Sequence, residues 1–102
     1  MIYLISYDLH RTKNYPVLHK TISDIGNCTK PLESLWLVES PLALLEINNI
    51  IKNAVDSDDC YYVVPIKEPG VGKLLSTDAW NWIRSKFGLA PSSMTLRLPA
   101  EK

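Results

Sequence analysis

Asp8 is the first side chain here whose position suggests chemistry. It closes an apolar, β-forming run, Ile2 to Tyr7, and is followed by His10, Arg11 and Lys13. A carboxylate at the end of a strand stands on a rigid platform. Magnesium needs few protein oxygens, because it keeps several of its waters. One Asp per chain is still poor equipment for an ion. The metal reading therefore needs two chains about a two-fold axis, bringing two Asp8 carboxylates together. Such a pair repels unless a cation or a proton lies between its members. The competing reading is that Asp8 only ends the strand, through side-chain to backbone hydrogen bonds. Spacing alone leaves both open. If the strand continued, His10 would share a face with Asp8. It could then serve as a general base or hold a phosphate at its leaving oxygen.

The residues around Asp8 add positive charge. From His10 to Lys20 the chain carries Arg11, Lys13 and Lys20, two histidines and no acid. A phosphate would be attracted there, with an affinity that salt weakens. The same run also reads as a solvated loop and helix surface. His19 follows the apolar Leu18, and a surface position is expected for it. Trp36, in the middle of an apolar segment, could stack on a base or simply fill a core or an interface.

Other motifs fail on spacing. The segment Glu68 to Thr77 holds Gly70, Gly72 and Lys73, but a phosphate-binding loop needs four residues between its first glycine and the Gly-Lys pair. Asp56, Asp58 and Asp59 do not fit a twelve-residue calcium loop, which needs a central glycine and a distal glutamate. A polar turn before a strand is the expected role. Ser34 has no nearby base, so nucleophilic catalysis has no support. Cys28 and Cys60 are too few for a zinc site.

Composition sets the outer limits. With 102 residues, 46% hydrophobic, the chain suits one domain with a modest core. A formal net charge of zero gives the whole molecule no electrostatic footprint for nucleic acid, so any such binding must be local. No apolar run approaches a membrane span, and no signal peptide is apparent. The expectation is a cytoplasmic protein with free thiols and no membrane partner.

The elements that must position these residues follow from periodicity and punctuation. Residues 2–7 read as a central strand. Asn14, Tyr15 and Pro16 start a helix with Leu18, Ile22 and Ile25 on one side, stopped by Gly26 through a left-handed backbone. Pro31 marks 28–33 as an edge segment or irregular hairpin arm, and 34–39 is a firm strand. Ser40 is expected to cap a second helix, with Pro41 at its first position. Leu42, Leu45, Ile50 and Ala54 lie on its buried side, widened by Ile47 and Ile51. Residues 60–66 form a strand. Residues 67–77 are a loop. A third helix, capped by Thr77 or Asp78 and ended by Gly88, carries Trp80, Ile83 and Phe87 on one face and Trp82 roughly opposite. Met94, Leu96 and Leu98 alternate with Thr95 and Arg97 in a short edge strand. The expected fold is α+β, a ferredoxin-like split βαβ sandwich with two helices on one face of an antiparallel sheet. Its core spans 1–66, and 67–102 is an extension packing on the core or on a dimer partner.

Three short stretches carry a family resemblance. The run "YLISYDL" closes on Tyr7-Asp8, "ESLW" supplies Ser34, Leu35 and Trp36, and an acidic turn precedes a strand. These resemble the small CRISPR-associated endonucleases of spacer acquisition. Short bacterial and phage proteins called SinR-like are more similar, sharing the run from "YLISYDL" to "DSDD". The virulence-associated D toxin ribonucleases are more distant. The resemblance implies a ferredoxin-like homodimer in which two Asp8 carboxylates bind magnesium for phosphodiester hydrolysis. Taken with the residue readings above, the expected sites are Asp8 and His10 at the chemistry, Arg11, Lys13, Lys20 and Trp36 on nucleic acid, and Tyr7, Trp82, Met94, Leu96 and Leu98 at the dimer interface. The C-terminal strand would join the partner's sheet edge. The function implied is a nuclease for RNA or single strands in a toxin or defence setting. The alternative is a non-catalytic dimer that binds nucleic acid or a protein partner, as a phage or mobile-element accessory. The chain departs from the acquisition nucleases in having only Arg11, Arg84 and Arg97.

Overall fold

Alternation along the first strand organises the first part of the chain. A computed structural model describes residues 1–9, 15–73 and 75–88. The element order is β1 (Ile2–Asp8), α1 (Tyr15–Ile25), β2 (Asn27–Leu32), β3 (Leu35–Glu39), α2 (Leu44–Lys52), β4 (Cys60–Ile66) and α3 (Thr77–Phe87). Among the described residues the chain is α+β, with three helices and one four-stranded antiparallel sheet in the order β2-β3-β1-β4. It divides into two compact units, Met1–Ile66 and Lys67–Lys102.

β1 pairs on both sides, with β3 and with β4. Successive side chains of a strand point to opposite faces. Tyr3, Ile5 and Tyr7 therefore share one face, and they cluster with Leu18, Ile22 and Ile25 of α1 and Ile47 and Ile51 of α2. The register places Ile2, Leu4, Ser6 and Asp8 on the other face, with Leu35 and Leu37 of β3 and Cys60, Tyr62, Val64 and Ile66 of β4. Glu39 of β3 and Asn27 and Thr29 of β2 share that face, so its apolar side chains are interleaved with polar ones, and Ile2 and Leu37 are buried.

α1 follows its expected stripe, as Leu18, Ile22 and Ile25 are buried. The role expected of Gly26 differs. Among the described residues the one glycine with positive φ is Gly88. Gly26 is needed for another reason, since a Cβ there would overlap the backbone carbonyl oxygen of Glu39. A single residue thus turns the chain from α1 into β2. β2 is an edge strand, and its pairing with β3 is irregular between Thr29 and Leu32. Pro31 sits inside that irregularity, where a missing N–H costs no regular ladder bond.

α2 starts later than expected. Ser40 is 2% exposed and its hydroxyl accepts from the Leu42 amide at 3.2 Å, which makes a turn instead of a helix cap. Ala43 is the N-cap, and Glu46 Oε1 accepts from its amide at 2.8 Å. Helical phase then puts Ile47 and Ile51 in the core, each fully buried. Leu45, two residues from Ile47 and so nearly opposite on the helix, is 73% exposed. It does not belong to the buried side. The Tyr3 hydroxyl donates to the Leu42 carbonyl at 2.7 Å and secures the approach to α2.

In the second unit, α3 is capped by Ser76, in place of the expected Thr77 or Asp78. Its hydroxyl accepts from the Ala79 amide at 3.1 Å. Gly88 ends the helix at φ 66. Asp78 lies in the first turn and Arg84 and Lys86 in the last, each complementing the helix dipole. Ala79, Trp80 and Ile83 are buried, and Trp82 is half-buried with Lys86 Nζ 5.7 Å from its ring centre. Met94, Leu96 and Leu98 lie outside the described residues. No helix among the described residues is long and apolar enough to cross a membrane.

Gly26→Ala is expected to destabilise the chain by about 1–3 kcal/mol, the scale of overpacking against atoms that cannot move aside. Urea unfolding checks this, as a lower midpoint at unchanged slope. Ser76→Ala should cost about 1 kcal/mol, the usual loss on removing a helix cap.

Candidate functional site

The C-terminal end of β1 presents two different environments on its two faces. Asp8 is exposed and Tyr7 is 5% exposed. Asp8 pairs in register with Cys60, and Ser6 with Tyr62, so these four side chains share a face. There they border an open depression of about 250 Å³, lined by Ser6, Tyr7, Asp8, Cys60, Tyr61 and Tyr62. Tyr62 is 67% exposed beside it. One chain supplies one carboxylate here, with a serine hydroxyl two residues earlier on the same face. That donor set is too small to hold magnesium alone. It fits the ion only if a second copy adds its own Asp8.

On the helix side, the Tyr7 hydroxyl is the centre of a polar cluster. Trp36 Nε1–H donates to it at 3.1 Å, and His19 Nε2 lies 2.8 Å away. Tyr15 and His19 are four residues apart on α1, so they face the same way. Their rings, with those of Tyr7 and Trp36, pack at centroid separations of 5.4 to 6.1 Å. Lys30 Nζ stands 5.9 Å from the Trp36 ring centre. The Tyr7 amide donates to the Ser34 carbonyl at 3.2 Å, past the end of the regular ladder. Tyr61 bonds Asn48 Oδ1 at 2.6 Å and ties β4 to α2 nearby.

The electrostatics follow from burial. Desolvation holds the His19 imidazole below its ordinary value, and the Lys30 cation pushes the same way, while Glu33 opposes them. Burial raises the Tyr7 phenol; the Trp36 N–H bond pulls it back, and Tyr15 and Glu33 add smaller upward pushes. The Cys28 thiol is also raised by burial. Both cysteines are free.

The expected site residues are placed as follows. Asp8 is exposed at the end of the central strand. Tyr7, expected at a dimer contact, is turned inward and bonded within its own chain. Trp36, expected on nucleic acid, is half-buried, with its N–H on Tyr7 and its ring beside His19 and Lys30. Lys20 bonds Asp24 at 3.1 Å, an exposed i,i+4 pair, which offsets its charge locally. His10, Arg11 and Lys13 lie outside the described residues. The structure therefore brings Tyr7 and Trp36 together, and leaves Lys20 apart from Asp8's face.

Sequence reading missed His19, Tyr15 and Lys30. The signal for His19 was present. It follows Tyr15 by four residues and precedes Ile22 by three, on the buried side of α1. Asp56, Asp58 and Asp59 bring carboxylate oxygens within 4.8 Å of one another. The turn is closed by the Asp56 amide donating to Asp59 Oδ2 at 2.9 Å, which matches the polar turn expected before β4. No protein-family model, curated protein or solved structure matches the chain.

Tyr7→Phe should cost about 1–3 kcal/mol, since it removes the shared partner of Trp36 Nε1–H and His19 Nε2. A second expectation concerns pH. An imidazole held below its ordinary 6.5 binds protons less readily folded than unfolded. Stability should therefore be whole above about 6.5, fall as pH drops below it, and level off beneath the depressed folded value. His19→Gln should lack that decline, seen as a smaller difference in urea midpoint between neutral and acidic pH.

Proposed function

We propose that this chain is a metal-dependent nuclease for RNA or single strands, acting as a homodimer in a toxin or defence setting. The observation that carries this reading is the position of Asp8. It is exposed, at the end of a strand paired on both sides, on the face turned away from α1 and α2. A two-fold axis near that strand end would bring two such carboxylates together. The order βαββαβ in Met1–Ile66 and the strand order β2-β3-β1-β4 support a ferredoxin-like fold. Tyr62 is 67% exposed beside Asp8 and would lie in a contact between two copies at that strand end. The C-terminal segment 94–98 would extend the partner's sheet.

In this reading each chain contributes Asp8 as the ion ligand, with the Ser6 hydroxyl beside it. A bound magnesium supplies an electrophile for the phosphodiester and lowers the pKa of an attacking water. The chain's own task is to hold Asp8 still and to bring a strand of nucleic acid to it. His10, Arg11 and Lys13 lie two, three and five residues after Asp8 in sequence and would meet the phosphates. A zero net charge favours a short substrate over a long duplex.

A second reading is a non-catalytic dimer that binds nucleic acid or a protein partner. One carboxylate per chain, and the internal bonding of Trp36, favour it.

Pure protein incubated with RNA and with single-stranded DNA should cleave in magnesium and stop in chelator. Asp8→Ala should slow cleavage by about 100-fold or more, the scale of losing one electrostatic stabiliser of the transition state. Cleavage indifferent to both chelator and mutation would remove the nuclease reading, and binding without cleavage would favour the second. Light scattering should give twice the chain mass; a monomer at micromolar concentration would remove the shared-carboxylate site.

A further inference from the structure

A net charge of zero conceals an uneven division. Met1–Ile66 carries five Lys and Arg against eight Asp and Glu, a formal charge of −3. Lys67–Lys102 carries six against three, a formal charge of +3. Charge segregated in this way marks the basic part for an anionic partner. Among the described residues of the second unit the cations are Lys67, Lys73, Arg84 and Lys86, and the acids are Glu68 and Asp78.

α3 gathers part of this charge on one side. With 3.6 residues per turn, burial of Ala79, Trp80 and Ile83 turns Asn81, Trp82 and Ser85 outward. Arg84 and Lys86 stand at the two rims of that outward side. Arg84 Nη2 donates to Asn81 Oδ1 at 2.8 Å, which draws the guanidinium across it. The partner is a neutral amide, so this bond does not offset the charge as Asp24 offsets that of Lys20. Lys86 Nζ lies 5.7 Å from the Trp82 ring centre, which joins the second cation to an indole. The helix dipole favours cations in the last turn. It does not account for Lys67 and Lys73, which are exposed and precede the helix.

The chemistry of the patch narrows the class of anion. A single-stranded nucleic acid offers phosphates to cations and unpaired bases to an aromatic ring. An anionic lipid surface needs a helix whose apolar face can enter it, and that face of α3 is buried. So few cations suit a short stretch of strand. We propose that α3 is a binding site for single-stranded nucleic acid, with Arg84 and Lys86 on phosphates and Trp82 stacked on a base. Lys67 and Lys73 add to the attraction at longer range. This rests on nucleic acid being the ligand, which both readings above allow, and not on a metal at Asp8.

The test titrates the full chain against a short fluorescent oligouridine, read by anisotropy between about 50 and 200 mM salt. Arg84→Gln combined with Lys86→Gln should weaken binding about tenfold or more. It should also flatten the logarithmic salt slope by about 1.4, since each phosphate contact on a single strand contributes about 0.7. Arg84→Lys combined with Lys86→Arg keeps both charges and should restore most of that slope. Trp82→Ala should weaken binding about fivefold or more with the slope unchanged. Lys52→Gln removes a cation from the last turn of α2 and should change neither. No binding at the lower salt overturns the proposal. So does an unchanged slope in the Arg84 and Lys86 glutamine variant, or an equal loss in Lys52→Gln. Polyglutamate that competes as well as unlabelled oligouridine, charge for charge, would overturn it in favour of an acidic protein. Asp8→Ala should bind as the wild type does, and binding lost with Asp8 would also overturn the site. Cleavage indifferent to Asp8→Ala would remove the nuclease reading alone and leave this site standing.

Discussion

Pairing of β1 on both sides is the constraint from which the rest of Met1–Ile66 follows. A strand with two neighbours has its backbone donors and acceptors committed, so its side chains must divide strictly between the faces. Tyr3, Ile5 and Tyr7 fall under α1 and α2, and Ser6 and Asp8 fall on the opposite face. The apolar half of that division supplies the seed of the core. Each buried aliphatic side chain there contributes about 1.5–3 kcal/mol, against which one hydroxyl bond is small. The polar bonds of Tyr3, Tyr7 and Tyr61 add direction, because each fixes one helix or loop at one place on the sheet.

Tyrosine suits this use. Its ring fills core volume while its hydroxyl reaches a polar partner at the margin. Tyr7 takes this furthest, since one oxygen serves both an indole on β3 and an imidazole on α1. The candidate site is thus built from both faces of one strand end. The Asp8 carboxylate stands in the open, and the hydrogen bonds that hold its neighbour Tyr7 lie inside.

Much of this was legible in the residues, though unevenly. The run closing on Asp8 and the strand at 60–66 show in composition and turn signals, and the α1 stripe shows in its 3.6-residue period. The start of α2 did not show. Ser40 and Pro41 have the types of a helix start, but a buried serine satisfied by the Leu42 amide is equally good local chemistry. The three-residue delay rotates the helix and moves Leu45 from the core to the surface. His19 was misjudged because a polar residue beside a core leucine looks like surface. Its partner is 12 residues earlier in sequence, and only tertiary structure joins them. Lys30 was hidden for the same reason, as the pairing of β2 with β3 is irregular where it sits.

The join at Gly26 has a consequence for where this chain can change length. One residue separates α1 from β2, and it presses against the Glu39 carbonyl. An inserted residue there would shift β2 by one position against β3. Cys28 and Thr29 would exchange faces, and Lys30 would leave the Trp36 ring. The irregular stretch between Thr29 and Leu32 lies at the other end of the same strand and already absorbs a break in register. Insertions and deletions are therefore tolerable near the β2–β3 turn and forbidden at the helix exit. A single edge strand carries a rigid end and an adjustable one, and the cluster around His19 is assembled between them.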